Sequence, residues 1–285
     1  MEITPSIAII QPSSPPNRII YKRSLEILKK NAIPFKSFVD FAEAPPAQKA
    51  FLLYEIITYG RFTHLWAARG GFGAIQLLPY LDNLFQEQIS HSSSFPILIG
   101  FSDITVLHLY FWKKFRIKGL HAPMVINLPE ISKESFNRLK ANLFSKTLQG
   151  KLFGKAYREG QGEGIIIGGN LSLIASLCGT PYFPMEEKII LLIEEVNEKL
   201  YKLVRNFLQI LYTLPRECLK GLMLGDLGEV SPLAFLAQIE EYLPLHIPIA
   251  YAFPFGHSSK NYPFPIGATG YLKVGAKKGE LTFQF

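Results

Sequence analysis

Residues Phe95–His108, FPILIGFSDITVLH, read as a buried strand (Pro96–Ile99), a sharp turn at Gly100-Phe101-Ser102 and the first turns of a helix. A serine set between a strand end and a helix N-terminus has its hydroxyl lifted clear of the backbone. The amide after it lies at the positive end of the helix, where developing negative charge is favoured. This is the layout of a nucleophile elbow, although the residues are G-x-S-D-I and not the G-x-S-x-G of hydrolase elbows. Taken locally, a helix cap accounts for Ser102 better, with Asp103 complementing the dipole in the first turn. The surrounding chain has to decide between the two.

Upstream, Ser6–Ile10 (SIAII) and Thr63–Ala67 (THLWA) are short apolar runs of the kind that fill a parallel sheet. Pro34–Val39 reads as a further strand, and Tyr21–Asn31 has helical spacing. The first run ends in the loop QPSSPP and the second in ARGGFGAIQLLPYLD, where Gly70, Gly71 and Gly73 permit a tight turn with exposed amides. Such a turn cradles phosphate or presents an oxyanion hole, but it matches neither a Walker loop nor G-x-G-x-x-G. Turn geometry alone is an equally good reason for the glycines. Strands alternate with helices up to about Leu148, which predicts a doubly wound, Rossmann-like α/β domain over residues 1–150. Sites in such sheets form outside the carboxyl ends of the strands. QPSSPP, ARGG and the Ser102 turn all leave strands there, which lifts each above its local reading.

Residues 151–164, rich in glycine and charge, read as a linker or surface hairpin. Beyond them, 165–285 predicts a smaller α+β domain rich in short strands. The strands are Lys188–Ile193, Lys220–Leu224, Ile249–Phe253 and a final LTFQF, with helices NLSLIASLCG and Tyr201–Leu211 between them.

Composition narrows the function. The chain has 285 residues, 48% hydrophobic and 19% charged, so it has material for a large core and no signature of disorder. Its net charge of +7 comes from 30 scattered Lys and Arg, without a long basic run. That suits solubility and attraction to an anionic small substrate, and argues against nucleic acid. Cys178 and Cys218 lack metal-type spacing and read as buried thiols in a reducing compartment. The N-terminus has no basic n-region, and no stretch reaches the apolar length of a membrane span. A cytoplasmic protein without membrane contact is expected.

A serine hydrolase needs a base and an orienting carboxylate beside its nucleophile. Of six histidines, His64 lies inside a strand, His91 in the polar loop SHSSS and His108 on the helix after the elbow. His121 and His246 stand beside prolines and stay open. His257, in FPFGHSS, follows a strand and a glycine turn, where a catalytic loop belongs. Glu194 is the first residue past the apolar run KIILLI, so it can be buried yet aimed outward. It ranks above Glu195 and Glu198, which read as a solvated face or helix-start charges.

Five blocks in order now show a family resemblance: ARGGFGAIQLLPYLD (68–82), IGFSDITVLH (99–108), GGNLSLIASLCGTPY (168–182), LLIEEVNEKLYKLVRNFLQ (191–209) and FGH (255–257) followed by FPIGA (264–268). Together they resemble the LD-carboxypeptidase family, the serine peptidases that comprise murein tetrapeptide carboxypeptidases and microcin C self-immunity proteins. The resemblance covers nearly the whole chain. It implies a triad of Ser102, Glu194 and His257, with the Gly71 and Asp103 backbone amides as oxyanion donors. It also implies removal of the terminal D-alanine from a muropeptide tetrapeptide during peptidoglycan recycling, no metal or organic cofactor, and a homodimer. The microcin branch implies an alternative, hydrolysis of acylated aminoacyl-nucleotides. Outside enzymes, a protein that merely binds an anion at Gly71 and the elbow is the rival. Departures from the family pattern are Glu195 where aspartate is usual, Val204 in place of an acid before Arg205, and a segment Pro45–Tyr59 without the family's arginine and aspartate.

Overall fold

The computed structural model describes residues 4–86, 95–145 and 149–284; His91 lies outside them. The N-terminal part alternates β1 (Ile7–Ile10), α1 (Arg18–Lys30), β2 (Phe35–Ser37), α2 (Pro46–Tyr59), β3 (His64–Ala67), α3 (Ala74–Gln86), β4 (Ile97–Gly100), α4 (Thr105–Phe115), β5 (Gly119–His121) and α5 (Lys133–Leu143). The five strands pair in parallel in the order β2-β1-β3-β4-β5. The apolar sequences of the inner strands β1 and β4 follow from burial on both faces, whereas the edge strand β2, FKS, is largely exposed. Ile7 and Ile9 join Tyr21, Leu28, Leu139 and Leu143 from α1 and α5. Ala8 and Ile10 join Leu53, Leu77, Leu78 and Leu107 from α2, α3 and α4. The strand order reverses between β1 and β3, the position where open α/β sheets form a binding crevice.

The second part runs through β6 (Gln149–Arg158), β7 (Gly160–Asn170), α6 (Leu171–Leu177), β8 (Ile189–Glu194), α7 (Leu200–Thr213), β9 (Leu219–Leu224), α8 (Pro232–Ile239), β10 (Ile249–Tyr251), β11 (Phe264–Ile266), β12 (Thr269–Val274) and β13 (Lys278–Gln284). All but β11 close into a barrel ordered β10-β6-β13-β12-β7-β8-β9. Two sequence expectations are corrected here. Residues 151–164 are neither a linker nor a hairpin: they lie in the consecutive strands β6 and β7, which pair not with each other but with β10 and β13, and with β12 and β8. Their glycines serve barrel closure: a Cβ on Gly162 would sit 1.9 Å from the Lys220 carbonyl oxygen, and one on Gly164 2.7 Å from that of Lys188. The segment 165–285 is likewise not confined to a second domain. Its β11 crosses back and pairs antiparallel with β5, extending the N-terminal sheet.

Helix α4 is wedged between the two parts, which explains why it is apolar on every side. Val106, Leu107, Leu109 and Tyr110 are all fully buried. At its start the Asn170 N–H, at the end of β7, donates to Thr105 Oγ1 at 3.0 Å. Gly169 permits this approach, because a Cβ there would lie 2.4 Å from the same oxygen. Among the described residues no helix is long and apolar enough to cross a membrane. Cys178, half-buried, and Cys218, buried, are free thiols.

Candidate active site

The loops after β1, β3 and β4 gather at one edge of the sheet. After β4, Phe101 is extended, and Ser102 adopts φ +59°, a left-handed conformation that a residue with a Cβ rarely takes. One turn of 3₁₀ helix, Ser102–Ile104, then leads into α4. Gly100 makes the turn tight, since a Cβ there would approach Ile104 Cγ1 to 2.9 Å. The conformation costs about 1 kcal/mol relative to glycine. Ser102→Gly should therefore be about 1 kcal/mol more stable than Ser102→Ala, read as a higher denaturant midpoint at unchanged slope. A cap would not need this strain. It is the backbone geometry of a nucleophile elbow.

The turn after β3 packs directly against the elbow. The position a Cβ would take on Gly70 is 3.3 Å from Ser102 Cβ and 3.4 Å from its Oγ. Gly71 follows, exposed and at φ +103°, with room for no side chain: a Cβ would be 2.6 Å from Ser14 Oγ. The sequence expectation that these glycines and the elbow share a sheet edge holds in the fold. Asp103, read from sequence as a first-turn complement to the helix dipole, is also tied to two other loops. It is 2% exposed, and its Oδ2 accepts from Ser13 Oγ at 2.6 Å and from the Ala74 N–H at 2.9 Å.

From the barrel side come the carboxylate and the imidazole. Glu194, the last residue of β8, is 0% exposed, and His257 Nδ1 lies 2.7 Å from its Oε2. Burial raises the carboxyl's pKa, and the hydrogen bond and charge of His257 oppose that rise. For His257 burial is the largest single influence and lowers the pKa. The hydrogen bond to Glu194 and the charges of Glu194, Glu195 and Asp226 outweigh it, so the net shift is upward from 6.5. The loop bearing His257 is pinned from both parts of the fold. Phe255 O accepts from the Asp226 N–H at 2.9 Å. Ser259 O accepts from the Ser132 N–H at 2.8 Å, and the Asn261 N–H donates to Ser135 Oγ at 3.1 Å, both at the N-terminus of α5. Gly256, φ +118°, lets the backbone pass between the side chains of Asp226 and Glu194, where a Cβ would meet their Cβ atoms at 2.9 and 3.1 Å.

The two groups meet across Phe101, whose ring centroid is 4.8 Å from that of His257. Ser102 Oγ and the imidazole are not hydrogen-bonded to each other; such bonds commonly tighten only around substrate. Ser102, Glu194, His257, Gly70–Gly71 and Asp103 thus converge where the sheet edge faces the barrel. On the flank of the His257 loop, a groove of about 590 Å³ runs past Ser258, Asp226, Arg138, Lys151 and Lys260.

The other histidines fall away as bases. His121 is fully buried, stacked on Phe264 with centroids 4.4 Å apart, and neither ring nitrogen has a hydrogen-bond partner among the described residues. Burial holds its pKa far below 6.5. His64 and His108 are lowered to about 4 by burial, the latter bonded to the Gly100 carbonyl at 3.0 Å. His246 is exposed in the loop before β10. Among the described residues no group of histidine, cysteine or carboxylate side chains is arranged to hold a metal ion.

One reading changes. Glu195 is not a solvated charge: it is 3% exposed, with Oε1 accepting from Asn170 Nδ2 at 2.6 Å and Oε2 from the Ser172 N–H at 2.9 Å. It therefore ties α6 to the end of β8, one residue from Glu194. Arg205, left without the family's acid by Val204, extends over the Tyr201 ring at 5.9 Å.

Comparison with known proteins agrees with this fold. Residues 7–122 match the model of the LD-carboxypeptidase N-terminal domain, and residues 163–272 that of the LD-carboxypeptidase C-terminal domain. The murein tetrapeptide carboxypeptidase of Pseudomonas aeruginosa is 31% identical over 232 residues, covering 74% of this chain and 72% of that protein. The crystal structure of muramoyltetrapeptide carboxypeptidase from Oxalobacter formigenes superposes with a TM-score of 0.82 at 24% identity, over 98% of each chain. That of an MccF-like protein from Bacillus anthracis gives 0.84 at 20% identity, over 99% of this chain and 97% of its own. At such identities the two structures speak for the fold. With both domain models matched in order and a 31% identical relative, the chain belongs to the LD-carboxypeptidase family of serine carboxypeptidases.

Proposed function

We propose that the protein releases the C-terminal D-alanine from murein tetrapeptides by a Ser102-His257-Glu194 mechanism. Ser102 Oγ attacks the carbonyl of the L-to-D bond while His257 Nε2 takes its proton. Glu194 holds the Nδ1–H and stabilises the imidazolium that forms. The Gly71 and Asp103 amides receive the oxyanion, at the N-terminal end of α4 where negative charge is favoured. His257 then gives its proton to the departing D-alanine amine. Water, activated by the same imidazole, resolves the acyl-enzyme and frees the tripeptide.

The observation that carries this reading is the 2.7 Å contact of His257 with a fully buried Glu194, beside a serine strained into the left-handed region. An anion-binding protein has no use for a buried carboxylate that orients an imidazole. The net charge of +7 suits a peptide stem bearing several carboxylates. The free thiols of Cys178 and Cys218 accord with work in the cytoplasm, where peptidoglycan fragments are recycled.

Release of D-alanine from UDP-MurNAc-tetrapeptide, followed against hydrolysis of an acylated aminoacyl-adenylate analogue, is the direct test. The tetrapeptide is expected to have the higher kcat/KM by at least about a hundredfold, on the order of what one well-recognised substrate feature contributes. Preference for the nucleotide substrate would move the protein to the microcin-type activity.

A further inference from the structure

The loop QPSSPP has no part in the mechanism above, yet it is tied to the elbow by a buried hydrogen bond. Ser13 is 0% exposed, and its hydroxyl donates to Asp103 Oδ2 at 2.6 Å. The same oxygen accepts the Ala74 N–H at 2.9 Å. Ala74 opens α3, three residues after Gly71, so one carboxylate oxygen clasps the three segments that leave β1, β3 and β4. The neighbouring Ser14 supplies a second clasp, its Oγ accepting the Phe72 N–H at 3.1 Å. Lys49 Nζ donates to Ser13 O at 3.0 Å and pairs with Glu43, which braces the β1 loop from behind.

We propose that Ser13 is a positioning residue for hydrolysis, its hydroxyl fixing, through the Asp103 carboxylate, the spacing of the Gly71 and Asp103 amides. This rests on the oxyanion assignment made above. The two amides belong to different loops, and both must lie within about 3 Å of an oxygen that carries charge only in the transition state. Neither loop alone sets that distance. The Asp103 side chain spans it, with one end on the elbow and the other on the first amide of α3. Ser13 fills the remaining acceptor direction and keeps the carboxylate from rotating. The negative charge beside an oxyanion site is offset by the α3 N-terminus and by Lys49. Burial raises the Asp103 pKa, and the Ser13 and Ala74 hydrogen bonds and the Lys49 charge act against that rise.

Ser13→Ala removes one hydrogen bond and leaves that to Ala74, so the fold is retained. Asp103→Ala keeps the backbone amide but removes the oxygen that both donors reach. Each variant is expected to lower kcat on the tetrapeptide by about tenfold to a hundredfold with KM within about twofold, as for a small misplacement of catalytic groups. The acid limb of the pH profile should not move, because His257 and Glu194 are untouched. In the double variant the loss should equal that of the worse single variant, since both break one clasp. Wild-type kcat in Ser13→Ala, multiplied losses in the double variant, or a loss that only follows the fraction unfolded by circular dichroism would each overturn the proposal. Ser102→Ala in the same assay separates the two levels. If it is inactive while Ser13→Ala is fully active, the positioning role alone fails; if it stays active, the mechanism itself fails.

Discussion

Ser102→Ala is expected to lower kcat for D-alanine release by about six orders of magnitude, the loss seen when the nucleophile of a serine triad is removed. Binding should survive, because the substitution deletes one half-exposed oxygen that has no hydrogen-bond partner among the described residues. Substrate affinity, measured by calorimetry, should therefore stay within a few fold while turnover vanishes. The fold should persist as well. Alanine keeps the Cβ and with it the strained φ of +59°, so the elbow is neither relieved nor further stressed. Retained affinity with lost turnover distinguishes chemistry from collapse of the site.

Glu194→Gln is expected to be nearly as damaging, at about four orders of magnitude in kcat, the scale of the aspartate-to-asparagine change in a serine triad. Glutamine is isosteric, but it cannot stabilise an imidazolium. Its amide also competes for the Nδ1 position that Glu194 Oε2 now holds at 2.7 Å. The pH profile should move too. In the native site the net upward shift of His257 means that kcat/KM falls as pH drops through a value above 6.5, where the base becomes protonated. Without Glu194 the lowering effect of burial is no longer outweighed, so the residual activity should keep its plateau to lower pH. Stability follows the same linkage with its own sign. A histidine with a raised folded pKa contributes stability that is complete below the unfolded value of 6.5 and lost as pH rises through the folded value. Glu194→Gln should flatten that decline above pH 6.5, checked by urea midpoints across the range.

The parts of this account that sequence alone reached are those with a local cause. The runs SIAII, THLWA and PILI are strands because they are short, predominantly apolar segments, and they emerge as β1, β3 and β4. Glu194 was legible because a carboxylate after five buried apolar residues has few ways to be satisfied. His257 was legible because a glycine turn precedes it, and Gly256 does let the loop pass Glu194 closely. What stayed hidden depends on long-range closure. Glycine and charge at 151–164 signal a linker unless one knows that Gly162 and Gly164 lie against the backbone of other strands. No local pattern says that Phe264–Ile266 leaves the barrel to pair with β5, for its sequence FPI would serve either sheet. Acidic side chains misled for a related reason. Glu195 looks like a solvated charge and Asp103 like a simple complement to a helix dipole, yet both are buried because the donors that satisfy them, Asn170 and Ser172 or Ser13 and Ala74, arrive from other loops. A serine-rich loop at a strand end, QPSS, was the one available hint that a buried acceptor waited nearby.

The central claim is that Ser102 carries the substrate acyl group between two chemical steps. Rapid acid quenching of the enzyme with a murein tetrapeptide, followed by intact-mass and peptide-mass analysis, tests it most directly. The account predicts a transient adduct equal to the substrate minus D-alanine, formed in a burst with stoichiometric D-alanine and located on the peptide containing Ser102. An adduct on any other residue, or a D-alanine burst of native size from Ser102→Ala, would contradict it.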